Sequence, residues 1–130
     1  MAGRVLVVDA ANVVGARPDG WWRDRAGAAE RLVALIGAAV AAGAADLGDR
    51  RVVVVLEGRA AQATARADGV EVVRAERDGD AALVAVVEGL GADDVLVVTS
   101  DRELRRRVEE LGARVRGAGW LRDTLDDVGA

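Results

Sequence analysis

Residues 4–15 read RVLVVDAANVVG, four apolar residues in a row from Val5 to Val8 that stop at Asp9. A strand with one solvated face alternates apolar and polar residues. A continuous run instead suits a strand covered on both faces, as in a parallel sheet. The same signature recurs at Arg51–Leu56 (RVVVVL), Val70–Arg74 (VEVVR) and Val95–Thr99 (VLVVT), and more weakly at Ala113–Arg116 (ARVR). Between these runs lie stretches with helical spacing: Arg25–Ala42, with Leu32, Leu35, Ile36, Ala39 and Val40 on one side, then Ala60–Ala67, Ala81–Leu90 and Arg102–Leu111, and a short closing helix over Leu121–Val128. Repeated strand-helix units with right-handed crossovers predict a three-layer α/β sandwich around a mostly parallel sheet of about five strands, Rossmann-like in outline. Gly43, Gly69, Gly91 and Gly112 fall just past the expected helix ends, where a left-handed cap costs glycine least. No linker, low-complexity tail or internal repeat interrupts the pattern, so residues 1–130 read as one domain.

Composition then removes whole classes of chemistry. The 130 residues include 18 arginines and no lysine, histidine, cysteine, tyrosine or phenylalanine, with a formal net charge of −4 at pH 7. Schiff-base lysines, Ser-His-Asp triads, P-loop lysines and zinc sites built on Cys or His are excluded, which leaves Asp, Glu, Asn, Ser, Thr and Arg. A chain of this length buries roughly 65–70% of its unfolded surface and needs no disulfide. The arginine bias and the abundance of alanine, glycine and valine match a GC-rich coding sequence and by themselves imply no function. The apolar stretch after Arg4 is too short for a signal-peptide core or a membrane span, so a cytoplasmic location without membrane contact is expected. Negative net charge argues against wholesale coating of nucleic acid, while a local arginine face remains compatible with it.

In an open parallel α/β sheet, ligands bind beyond the carboxyl ends of the strands. Here those ends carry acids. The first run leads to Asp9 and on to Asn12, the second ends in Glu57, the third leads to Asp78 and Asp80, and the fourth ends in Thr99, Ser100 and Asp101. Two carboxylates about 4 Å apart repel by roughly 4 kcal/mol at an effective dielectric near 20. A divalent cation reverses that cost, and Mg²⁺ or Mn²⁺ takes hard oxygen ligands of this kind. Such an ion activates water for attack on phosphorus without histidine or lysine. The competing explanation is helix capping, which accounts for Asp78, Asp80, Ser100 or Asp101 taken singly. Capping is not expected to account for Asp9 and Glu57 at adjacent strand ends.

These residues resemble the NYN and PIN-like metal-dependent ribonucleases, and among them the bacterial YacP-like NYN group. The resemblance rests on VVDAANVVG, VVVVLEG, RDGDAALVAVVE and VVTSDREL in that order, followed by Gly112 and Ala113, and it runs from Arg4 to about Ala118. It implies a PIN-like domain in which Asp9, Asp80 and Asp101 are metal ligands or their water-bridged partners, with Glu57 and Asp78 as further candidates. Asn12 would orient substrate or water. Three positions depart from the family pattern: Glu57 replaces the frequent Asp, Asp78-Gly79-Asp80 replaces Thr-Ala-Asp, and Ala11 replaces a frequent tyrosine.

Around these acids lie groups suited to a nucleic acid. Trp21 and Trp22, in the segment Gly15–Arg25, either stack bases or clamp the long first helix. Trp120 is expected to pack the last helix onto the sheet. Arginine forks suit phosphate, and Arg23, Arg25 and Arg102 are the candidate contacts together with Ser100. Arg106 and Arg107 read instead as a solvated face paired with Glu103, Glu109 and Glu110.

The leading expectation is a metal-dependent phosphodiesterase acting on RNA. A nucleoside triphosphate or other small-molecule phosphohydrolase using the same acids is the alternative, although no Nudix-type helix or helical Glu-x-x-Glu pair is present. A third reading is a non-catalytic module binding RNA or protein. A homodimer is one open oligomeric state.

Overall fold

The computed structural model describes residues 3–15, 23–44, 47–58, 60, 66–75, 78–90 and 94–129. The apolar run that opens the chain becomes β1 (Arg4–Asp9), the central strand of the sheet. On one side it pairs with β2 (Arg51–Glu57), which in turn pairs with β3 (Val70–Ala75). On the other side lie β4 (Asp94–Val98) and then β5 (Arg114–Arg116), giving the order β3-β2-β1-β4-β5 with every pairing parallel.

Parallel strands need crossovers, and the helices supply them on both faces. On one face, α1 (Ala10–Gly15), α2 (Arg25–Ala41) and α5 (Ala118–Gly129) close over Leu6, Val8, Val52, Val54, Leu56, Leu96 and Val98. On the other, α3 (Gly79–Leu90) and α4 (Arg102–Glu110) close over Val5, Val7, Val53, Val55, Val95 and Val97. Alternate residues of each central strand therefore enter two different cores, which is why their sequences do not alternate in polarity. Trp120 packs against the first of these cores, as its position suggested.

Three local expectations need revision. The short helix α1 was not foreseen. It starts because the Asp9 carboxylate accepts the Asn12 backbone N–H at 3.4 Å, so the Asp-x-x-Asn spacing is also a helix-capping spacing. The expected helix over Ala60–Ala67 lies largely outside the described residues, and its end is not helical, since Ala67 forms an isolated antiparallel bridge with Val70. Gly43 and Gly112 follow helix ends with φ of 69° and 93°, whereas Gly69 reaches 80° in the turn between Ala67 and Val70. Gly91 lies outside the described residues.

Candidate functional site

The sheet order reverses direction between β1 and β4, since the chain builds outward through β2 and β3 and then returns to the other side. A crevice opens at such a switch point, beyond the carboxyl ends of the two strands. Asp9 ends β1 there, and Thr99 follows β4. The Thr99 hydroxyl, 1% exposed, donates to Asp9 Oδ2 at 2.9 Å and accepts the Asp101 N–H at 3.1 Å. One buried hydroxyl thus fixes Asp9 and the turn that carries Asp101. Sequence reading placed Thr99 at a strand end without a role, and only its position between two acids hinted at one.

Asn12 and Ser100 build the floor beside this pair. The Asn12 Oδ1 accepts the Ser100 N–H at 2.7 Å, and the Ser100 Oγ accepts the Ala118 N–H at 2.9 Å, tying α1, the β4–α4 turn and the start of α5 together. Both residues therefore have structural partners in addition to any substrate they would meet.

The other acids approach from neighbouring elements, each with a helix terminus to satisfy. Glu57 Oε2 accepts the N–H of Gly79 at 2.8 Å at the start of α3. Asp78 accepts the Ala81 N–H at 3.0 Å. Asp101 takes the Glu103 and Leu104 N–H groups on Oδ1 alone, at 2.9 and 3.1 Å, leaving Oδ2 outside the cap. Capping thus engages Asp9 and Glu57 as well as Asp78 and Asp101, contrary to expectation, because a side chain at a strand end faces the next helix start. It does not remove their charge. Burial pushes the Asp9 carboxyl up to about 6, with the charges of Asp80 and Glu57 adding to the shift against the bonds from Thr99 and Asn12. Burial also raises Asp80, reinforced by Asp101, Glu57 and Asp78 and opposed by Arg107.

Arg107 is thus part of the site's electrostatics, a correction to its reading as merely solvated. Arg106 behaves as expected, bound to Glu103 and Glu110 at 2.7 Å each. Gly79 was missed too. A Cβ there would meet Glu57 Oε2 at 2.2 Å and Glu57 Cβ at 2.9 Å, so the Glu57 carboxylate lies where a side chain at position 79 would begin.

Arg25 and Glu57 line one cleft of about 370 Å³ with Ala10, Ala11, Val14 and Ala29. Arg102 is exposed at the first turn of α4, next to Asp101. Arg23 is exposed beside Asp24, the N-cap of α2. Trp21 and Trp22 lie outside the described residues. A roomier hollow of about 510 Å³ runs along the edge strand β3 from Arg66 to Arg74, away from the acids.

As a donor set the acids suit a hard divalent cation: their oxygens repel one another, and Arg107 is the cation that offsets Asp80. Among the described residues, however, no three acidic side chains gather closely enough to hold an ion by themselves. Mg²⁺ characteristically needs one or two carboxylates and completes its octahedron with water and substrate phosphate, a demand that Asp9 and Asp80 fit by charge and position.

A five-stranded parallel α/β sandwich with acids at its switch point is the class that fold and site define. The crystal structure of Rae1 (YacP) from Bacillus subtilis is similar to it with a TM-score of 0.78 at 21% identity, over 96% of this chain and 75% of that one. The crystal structure of a point mutant of the same protein gives 0.73 at 21% identity, over 99% and 77%. The chain therefore has a YacP-like fold. No protein-family model matches it, and no curated protein matches it in sequence. Among the described residues no helix is long and apolar enough to cross a membrane.

Proposed function

We propose that this chain is a metal-dependent ribonuclease of the NYN/PIN-like kind, with Mg²⁺ or Mn²⁺ as the ion and Asp9, Asp80 and Asp101 as its metal ligands or their water-bridged partners. The observation that carries the reading is the half-buried Asp9 carboxylate, held by Thr99 at the switch point while Asp80 and Glu57 oppose its ionisation. The YacP-like fold and the motif order described above support the same reading.

A bound divalent ion supplies Lewis acidity toward a water and a phosphate oxygen. The protein's own groups hold the geometry. Thr99 aims Asp9, the α4 cap fixes Asp101 with Oδ2 left over, and Arg107 limits the repulsion on Asp80. Asn12 and Ser100 set the floor on which a phosphodiester would lie, and Arg25 and Arg102 flank it with guanidinium groups for phosphate. RNA is the expected polymer partner, on the strength of the motif resemblance.

The test is cleavage of end-labelled single-stranded and hairpin RNA in Mn²⁺, Mg²⁺ or EDTA by wild type and Asp101→Asn, with a nucleoside triphosphate in parallel. Asparagine preserves the helix cap but not the charge, so a loss of at least about a hundredfold would come from the chemistry and not from unfolding. Triphosphate hydrolysis without RNA cleavage would transfer the same acids to a small-molecule phosphohydrolase. A second reading, a non-catalytic RNA-binding module, draws on the caps made by Glu57, Asp78 and Asp101, and it requires metal-independent RNA binding with no cleavage.

A further inference from the structure

A second polar site lies toward the opposite edge of the sheet. Arg50 immediately precedes β2, its backbone N–H closing a turn onto the Leu47 carbonyl at 3.2 Å. Its side chain is 7% exposed, and its Nε and Nη1 atoms are buried without a hydrogen-bond partner. Arg50 lines a hollow of about 90 Å³ together with Leu96, Arg114, Val115 and Arg116. Among the described residues that line it, three are arginines and none is acidic. Arg114 is held by Asp94 at 3.0 Å, and Asp49, which precedes Arg50, pairs with Arg4, so both carboxylates are engaged elsewhere.

A buried guanidinium with two unsatisfied nitrogens is costly, and two further cations beside it raise the cost. An anion with several acceptor oxygens would pair the two Arg50 nitrogens and offset the charges of Arg114 and Arg116 beside them. The hollow of about 90 Å³ has room for one tetrahedral oxyanion. Arg50 and Arg114 stand at the amino ends of β2 and β5, and Arg116 closes β5 at its carboxyl end, where its carbonyl accepts the Thr99 N–H at 2.9 Å. We infer that Arg50, Arg114 and Arg116 form an oxyanion site for one phosphate group, lined by none of the candidate catalytic acids. The inference does not depend on the nuclease reading.

The experiment is a melting titration of the full chain in EDTA, exchanging sodium chloride for sodium phosphate at fixed ionic strength. Wild type is expected to show a rise in Tm that grows with the logarithm of phosphate concentration above Kd, about 10 °C at a hundredfold excess over Kd. Arg50→Met should melt higher than wild type in chloride, because an unpaired buried charge is gone, and should lose that logarithmic rise. Arg116→Gln is exposed and keeps the test valid should the Arg50 variant fail to fold; it too should lose most of the rise. A 5′-phosphorylated uridine trinucleotide and its unphosphorylated form separate the sources of the phosphate. A rise from the phosphorylated form that Arg116→Gln removes assigns the site to an RNA end, and a rise from inorganic phosphate alone assigns it to the free ion. Phosphate also stabilises proteins generally by exclusion from their surface, an effect that these substitutions leave unchanged. A rise equal in wild type and both variants would overturn the inference.

Discussion

Replacing Asp9 with asparagine should make the metal-free protein more stable at neutral pH. The folded state raises the Asp9 carboxyl from 3.8 to about 6, chiefly by burial. At about 1.4 kcal/mol per unit, keeping it ionised at pH 7 costs the fold roughly 3 kcal/mol. An amide avoids that cost, yet it cannot accept from both Thr99 and Asn12. Its oxygen will keep the 2.9 Å bond from Thr99, and the 3.4 Å bond from Asn12 will go, returning about 1 kcal/mol. The net gain is about 1–2 kcal/mol, or roughly 4–7 °C in Tm for a domain of this size. Because the folded-state pKa lies above the unfolded one, the folded protein binds the proton more tightly, and wild-type stability falls as pH rises from about 4 through about 6. The advantage of Asp9→Asn must therefore be greatest at pH 7 and vanish near pH 4. Circular dichroism melts at both pH values in EDTA measure this. A variant less stable than wild type at pH 7, or a difference independent of pH, would refute the claim that Asp9 is an electrostatically penalised carboxylate.

Thr99→Val removes a donor to a charged group and the acceptor for the Asp101 N–H; it should cost about 2–3 kcal/mol at pH 7 and move the Asp9 titration above about 6, as followed by carboxyl-carbon NMR. Gly79→Ala should cost about 1–2 kcal/mol in denaturant titrations because the new methyl meets Glu57, and Glu57→Asp in the same chain should recover at least half of it. Arg102→Gln should weaken RNA binding several-fold in EDTA, whereas Arg106→Gln, whose charge Glu103 and Glu110 already engage, should leave it unchanged in the same filter assay.

The sheet was legible in the sequence because parallel strands buried on both faces leave a pattern that nothing else in a chain of this length produces. All five runs became strands, with ends shifted by a residue at Asp9, Glu57, Ala75, Asp94, Val98 and Arg114. The strand order was not legible, since the β-α rhythm is the same whichever side of β1 the fourth strand takes. Yet that order places Asp9 beside Thr99 and makes the switch point. The acids could be named from their positions at strand ends, but their hydrogen bonds could not. Whether an Asp at a strand end caps a helix or faces a ligand depends on where the next helix starts in space, and at Asp101 it does both with different oxygens.

Thr99, Gly79 and Arg107 share the reason they were overlooked. Each acts through a residue distant in sequence: Thr99 on Asp9, Gly79 on Glu57, and Arg107 on Asp80. A motif records the residues that would touch a ligand, whereas these set the charge and aim of those residues. Substituting them should therefore shift the pH dependence of the site while leaving its acids in place. The Glu57–Gly79 pair makes the same point from the opposite direction. Two positions separated by 22 residues fit together through one carboxylate lying over one glycine, so neither residue can be read without the other.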